Sequence, residues 1–127
     1  MSAGRTRWCL AGLACAWMLQ PRAAPAADPA GPAFVERFRA AAAQPDPAAL
    51  ADITALPFLY EGRRIGRDGF MRDAAPALFT PNVRRCLQRA AARREGDRLV
   101  LWCSPYGFHL GPVHGQWRLI EFVADVD

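Results

Sequence analysis

Hydrophobic positions along this chain fall into three periods, and the elements follow from them. Trp8 to Leu19 is one unbroken apolar run. After the Pro/Gly/Ala stretch from Asp28 to Pro32, Phe34, Phe38, Ala41 and Ala42 recur at four- and three-residue spacing, the stripe of an amphipathic helix that Pro45 ends. Asp46-Pro47 reads as an N-cap with Pro at the first helical position; it opens a second short helix bearing Leu50, Ile53 and Leu56 on one side and stopped by Pro57. Phe58-Leu59-Tyr60 and the segment reaching Ile65 flank Glu61-Gly62-Arg63, which predicts a small hairpin. Asp68 then caps a helix with Phe70, Met71 and Ala74 inward, until Pro76 breaks or kinks it. Thr80-Pro81 repeats the cap-plus-Pro signal and starts a helix through about Ala92, with Val83, Cys86, Leu87 and Ala90 facing in.

Beyond the turn Glu95-Gly96-Asp97 the period becomes two. Strands are predicted over Arg98 to Ser104, Tyr106 to Leu110 and Gln116 to Val126, with Gly111-Pro112 and His114-Gly115 as turn chemistry between the last two. Helices with one hairpin, then antiparallel strands, make an α+β pattern. In the last strand Ile120, Phe122 and Ala124 form one apolar set, and Trp117, Leu119 and Val123 form another with Glu121 among them. Taking the first set as core-facing leaves the second uncovered. That is the apolar face a lone monomer seldom leaves in water, so it predicts a homodimer through Trp117, Leu119 and Val123.

The apolar run at the start has a different meaning. Met1 to Arg7 carries two positive charges and no acid, and Gln20 to Ala27 is rich in Pro and Ala, so the three regions stand in the order of a secretory signal peptide. The run is too short for a hydrocarbon core that asks for about 20 apolar residues. Ala24-Pro25-Ala26 supplies the small-x-small cleavage pattern; residues 1–26 are then the leader and 27–127 one domain, periplasmic or secreted. The alternative is lipid attachment at Cys15, the one route to a membrane. Gly12-Leu13-Ala14 before it lacks the Leu expected three residues ahead, and more apolar sequence follows.

Charge changes the picture only after the leader is set aside. All 16 basic residues are Arg; three of them, Arg5, Arg7 and Arg22, lie in the leader, which leaves thirteen against twelve acids. A near-neutral domain lacks the positive field that phosphate backbones reward, so no nucleic-acid partner is expected. Arg84, Arg85, Arg89, Arg93, Arg94 and Arg98 could still gather on one solvated face.

Of the four Cys, Cys9 and Cys15 leave with the leader, and Cys86 and Cys103 remain. An even pair in an exported domain predicts a disulfide between the helix carrying Cys86 and the strand carrying Cys103; two separate buried thiols are the alternative. Two Cys without matched His spacing do not fill a tetrahedral metal shell, and the sequence calls for no cofactor. His109 and His114, five apart across Gly111-Pro112, could face each other across a hairpin as a general base or a weak metal pair, although surface histidines are the plainer reading. Tyr60, Trp102, His109 and Glu121 are the candidate pocket residues, because a carboxylate among apolar neighbours is what acid–base work requires. No Ser-His-Asp order, Walker loop or zinc motif is present, and no catalytic residue is assigned.

Phe34-Val35-Glu36-Arg37-Phe38, Pro57-Phe58-Leu59-Tyr60-Glu61-Gly62, Phe70, Leu78-Phe79-Thr80-Pro81-Asn82-Val83 and Gly115-Gln116-Trp117-Arg118-Leu119-Ile120 together resemble the small exported proteins of the cystatin-like, or nuclear-transport-factor-two-like (SnoaL-like), α+β superfamily. The resemblance spans most of residues 31–126. It implies helices packed into the concave side of a curved antiparallel sheet, around a conical cavity that members use for catalysis, ligand binding or dimerisation. Fold alone does not choose among those uses. The expectation is a non-catalytic binding or interaction domain for a small apolar ligand or a protein partner. The alternatives are a cofactor-free lyase, isomerase or hydrolase in the same cone, and a structural or inhibitory envelope protein.

Overall fold

Local chemistry sets the helix starts in the computed structural model, which describes residues 28–125. The leader expected over residues 1–26, with its cleavage point after Ala26, and Cys9 and Cys15 lie outside the described residues. Helix α1 (Ala30–Ala43) buries Phe34, Val35, Phe38, Ala41 and Ala42, the predicted stripe plus one neighbour. At the start of α2 (Pro47–Asp52) the Asp46 carboxylate accepts from the Ala48 N–H at 2.9 Å, and Pro47 occupies a position whose N–H would have no partner. Strands β1 (Phe58–Tyr60) and β2 (Arg63–Ile65) pair antiparallel with Tyr60 opposite Arg63. Glu61 and Gly62 are therefore the two turn residues, both at positive φ (51° and 79°), as a tight hairpin turn requires.

Helix α3 (residues 67–78) begins one residue before Asp68, which sits in its first turn and is not its cap. Pro76 does not break it. The stretch Phe70–Ala74 ahead of the proline is π-helical, with the Ala75 N–H bonded to the Phe70 carbonyl. Widening the turn there accommodates a ring that would otherwise press on the preceding turn and a residue with no N–H to give. Helix α4 (Pro81–Leu87) is capped by the Thr80 hydroxyl, which accepts from the Val83 N–H at 3.3 Å. It stops at Leu87, short of the expected Ala92, because Arg93–Glu95 is claimed by the sheet as strand β3. Pairing with a neighbouring strand overrides helical propensity in that Arg-rich segment.

The remaining strands are β4 (Arg98–Cys103), β5 (Tyr106–Val113) and β6 (Gln116–Ala124), and the sheet order is β3-β4-β5-β6, antiparallel throughout. Strand β5 runs straight through Gly111-Pro112; the chain reverses only at His114 and Gly115, at φ 51° and 80°. The β4 register ends at Leu99 opposite Leu110, so Pro112 lies where β6 alone flanks the strand and a missing donor is tolerated. Segment 53–55 lies along the other side of β6: the Leu119 N–H donates to the Ile53 carbonyl at 2.9 Å, and the Ala55 N–H donates to the Leu119 carbonyl at 2.8 Å.

A bulge corrects the expected faces of β6. His109 is opposite Glu121 and Leu110 is opposite Leu119, so Ile120 is an extra residue and the alternation slips by one there. Trp117 and Leu119 point to the helices before the slip, and Phe122 does so after it. Leu119 is fully buried; the Trp117 ring lies 6.4 Å from Phe34, and that of Phe122 lies 6.0 Å from Phe58 and 5.6 Å from Tyr106. Leu119 is thus a core residue and Trp117 packs half-buried against α1, and of the three only Val123 faces outward.

Helices and sheet meet over Phe34, Phe38, Phe58, Phe70, Phe79 and Phe108, all essentially inaccessible, with Leu50, Leu78, Leu87, Leu101, Leu110 and Leu119 between them. Phe79 packs on Phe108 at 5.0 Å and on Phe38 at 6.0 Å, so aromatic rings occupy the space between the layers. Cys86 of α4 and Cys103 of β4 are joined at a sulfur–sulfur distance of 2.10 Å. No helix among the described residues is long and apolar enough to cross a membrane.

Candidate functional site

Because α1 to α4 gather on one face of the sheet, the residues that alternate with the core set appear on the other. Register places Val100, His109 and Glu121 side by side across β4, β5 and β6, and Trp102, Gly107 and Val123 in the next row on that face. Three of the four candidate pocket residues, Trp102, His109 and Glu121, are therefore brought together, on the outer face and not in the interior. Tyr60 is not with them. It belongs to β1, packs on Phe122 at 6.1 Å, and its phenol is pushed above the usual 10.0 by burial first, then by Glu61, Tyr106 and Asp73.

The outer face is shaped by two glycines. A Cβ on Gly107 would fall 2.8 Å from the Trp102 ring, and one on Gly111 would fall 2.7 Å from the end of Ile120. A side chain at either position would push its neighbour off the sheet, so glycine lets the indole and the isoleucine lie flat on the backbone. Trp102 remains 44% exposed and Val123 40%, in the outward-facing row next to the β4–β5 turn. Beside them Val100 is fully buried by its neighbours, Arg98 forms an ion pair with Glu121, and the Nδ1 of His109 is covered with no hydrogen-bond partner among the described residues.

This arrangement presents a flat indole, a valine and a bonded charge pair on one face. Glu121 is part-buried and paired with Arg98, so its carboxylate is held by a guanidinium and not by the apolar surroundings that acid–base work requires. The two histidines do not face each other: His109 is in mid-strand on the outer face, whereas His114 lies in the β5–β6 turn. The Arg cluster is also divided. Arg84 donates to the Phe79 carbonyl at 3.0 Å, Arg85 to Asn82, and Arg98 to Glu121, each satisfied locally.

A second feature escaped the sequence reading. Two clefts of about 410 and 460 Å³ open on either side of Arg118, near the β5–β6 turn; the first is bordered by Phe34, Arg37 and Trp117, the second by Asp52, Arg67 and His114. The only sequence signal for them is Arg37 three residues after Phe34 on a helix, which places both on one side of α1. Comparison of the chain with protein-family models, with curated proteins and with solved structures finds no match.

Proposed function

We propose that the chain, exported after removal of residues 1–26, is a non-catalytic binding domain of cystatin-like architecture. It docks a protein on the outer face of its sheet, and the partner is a second copy of itself. The observation that carries this reading is Trp102, nearly half exposed on β4 and lying flat over Gly107, where a Cβ would fall 2.8 Å from the indole ring. Flat, rigid aromatic groups at the centre of a patch supply most of the energy of protein contacts. The same face mixes Arg93 and Arg98 with Glu95 and Glu121, so a two-fold contact can set opposite charges against each other around the two indoles. The filled interior favours a surface site over a small apolar ligand held inside the cone, and it favours binding over catalysis.

Sedimentation of the mature protein tests this. The expected result is a dimer at about 10–100 μM that Trp102→Ala converts to a folded monomer. A wild-type monomer over that range, or a dimer indifferent to Trp102→Ala, overturns it. Intact mass of material recovered from the periplasm or medium checks the export step: the expected N-terminus is Ala27, and a retained Met1 or a lipid mass on Cys15 refutes it.

A further inference from the structure

We infer that the cleft between α1 and β6 is a binding site for a small organic carboxylate with an aromatic body. The site is separate from the outer sheet face. Its charge comes from two guanidinium groups that border the same cleft, Arg37 and Arg118. Arg118 is held in place by neutral acceptors: it donates to the Asp52 carbonyl at 2.9 Å and to the Gln116 side-chain oxygen at 2.6 Å. Its position is fixed while its charge is left uncompensated, and a guanidinium with five N–H groups has donors to spare. Ion pairs among the described residues engage Arg39, Arg67, Arg72 and Arg98, and neither Arg37 nor Arg118 is among them.

The cleft wall is aromatic. Trp117 is half-buried and tilted against Phe34 at 6.4 Å between ring centres, and the Arg37 guanidinium stands 5.7 Å over the Phe34 ring. Gly31 lets the first turn of α1 approach this closely, since a Cβ there would lie 3.0 Å from the Trp117 ring. At about 410 Å³ the space matches a ligand of one ring and a short acid tail. A guanidinium held by hydrogen bonds, a second one over the Phe34 ring and an indole on the wall suit a carboxylate attached to a ring. A bare anion would leave the indole unused, and a neutral arene would leave the two charges unmatched.

Titration of the ¹⁵N-labelled mature protein with 3-phenylpropionate, followed by amide and indole N–H shifts, tests the inference. The expected result is binding at about 1 mM or tighter, with shifts at residues 115–118 and the Trp117 indole while the Trp102 indole stays still. Its alcohol, 3-phenylpropan-1-ol, and acetate or inorganic phosphate are each expected to bind at least about tenfold more weakly, and Arg118→Gln is expected to weaken 3-phenylpropionate by about tenfold. Arg37→Gln should do the same. Its side chain makes no hydrogen bond among the described residues, so it decides the matter if Arg118→Gln disturbs the fold. Equal binding of the alcohol reduces the site to an apolar crevice, equal binding of acetate or phosphate reduces it to a general anion patch, and either overturns the inference. So does an absence of shifts at 115–118. Movement of the Trp102 indole alone would instead report on the outer face, so failure of one reading is distinguishable from failure of the other.

Discussion

Alanine substitution along β6 asks whether the Ile120 bulge truly resets the strand. Leu119 has no accessible surface and lies against α1 and segment 53–55, so Leu119→Ala removes buried methyl groups and leaves a cavity that the bonded 53–55 segment cannot easily collapse. The expected loss is about 3–4 kcal/mol, within the range for buried leucines. Val123, 40% exposed on the opposite face, should cost under about 1 kcal/mol. Phe122, half-buried between Phe58 and Tyr106, should fall between them at about 2–3 kcal/mol. Chemical denaturation of the three variants at a concentration where any dimer is dissociated gives the order directly. If Val123→Ala costs as much as Leu119→Ala, or Leu119→Arg yields a folded protein, the alternation continues through Ile120 and the assignment of faces is wrong.

Three further outcomes are expected. Cys86→Ser opens a loop closed over a sequence separation of 17 and should cost about 3 kcal/mol in oxidising buffer, a difference that shrinks when wild type is reduced; two reactive thiols in the denatured, unreduced protein would refute the bridge. Gly107→Ala should displace the Trp102 indole, seen as a red-shifted and more quenchable emission, with the sheet intact; an unchanged spectrum would mean the indole does not rest on Gly107. Tyr60 keeps its proton in the fold at pH values where the unfolded chain has lost it, so stability should fall as pH rises from about 10 through the raised folded value, and Tyr60→Phe should flatten that slope.

Caps and periodicity made most of the helices legible: Asp46-Pro47 and Thr80-Pro81 start α2 and α4 where the side-chain oxygens find N–H groups. The Phe34, Phe38, Ala41, Ala42 stripe is the buried side of α1. The α+β order and the pairing of Cys86 with Cys103 were legible too. What could not be read depended on partners remote in sequence. Arg93–Glu95 has no strand pattern of its own and becomes one by pairing with β4. Pro112 looked like a turn because nothing local says that β4 has already ended. The bulge leaves no mark in residue type, since Leu119, Ile120 and Phe122 suit either face, and one inserted residue is enough to exchange core for surface. The same slip puts Glu121 on the outer face beside His109, in a row that also holds Val100.

The hydrogen bonds that Leu119 makes with Ile53 and Ala55 have a bearing on solubility. A sheet of four strands has two free edges, and each is a template on which other chains can add strands. Here one edge is a three-residue strand, Arg93–Glu95, fully exposed and entirely charged. The other is occupied at its middle by segment 53–55, which uses the Leu119 N–H and carbonyl that an incoming strand would need. Strand addition is thereby obstructed at both of these positions, which disfavours open-ended growth of the sheet from one molecule to the next.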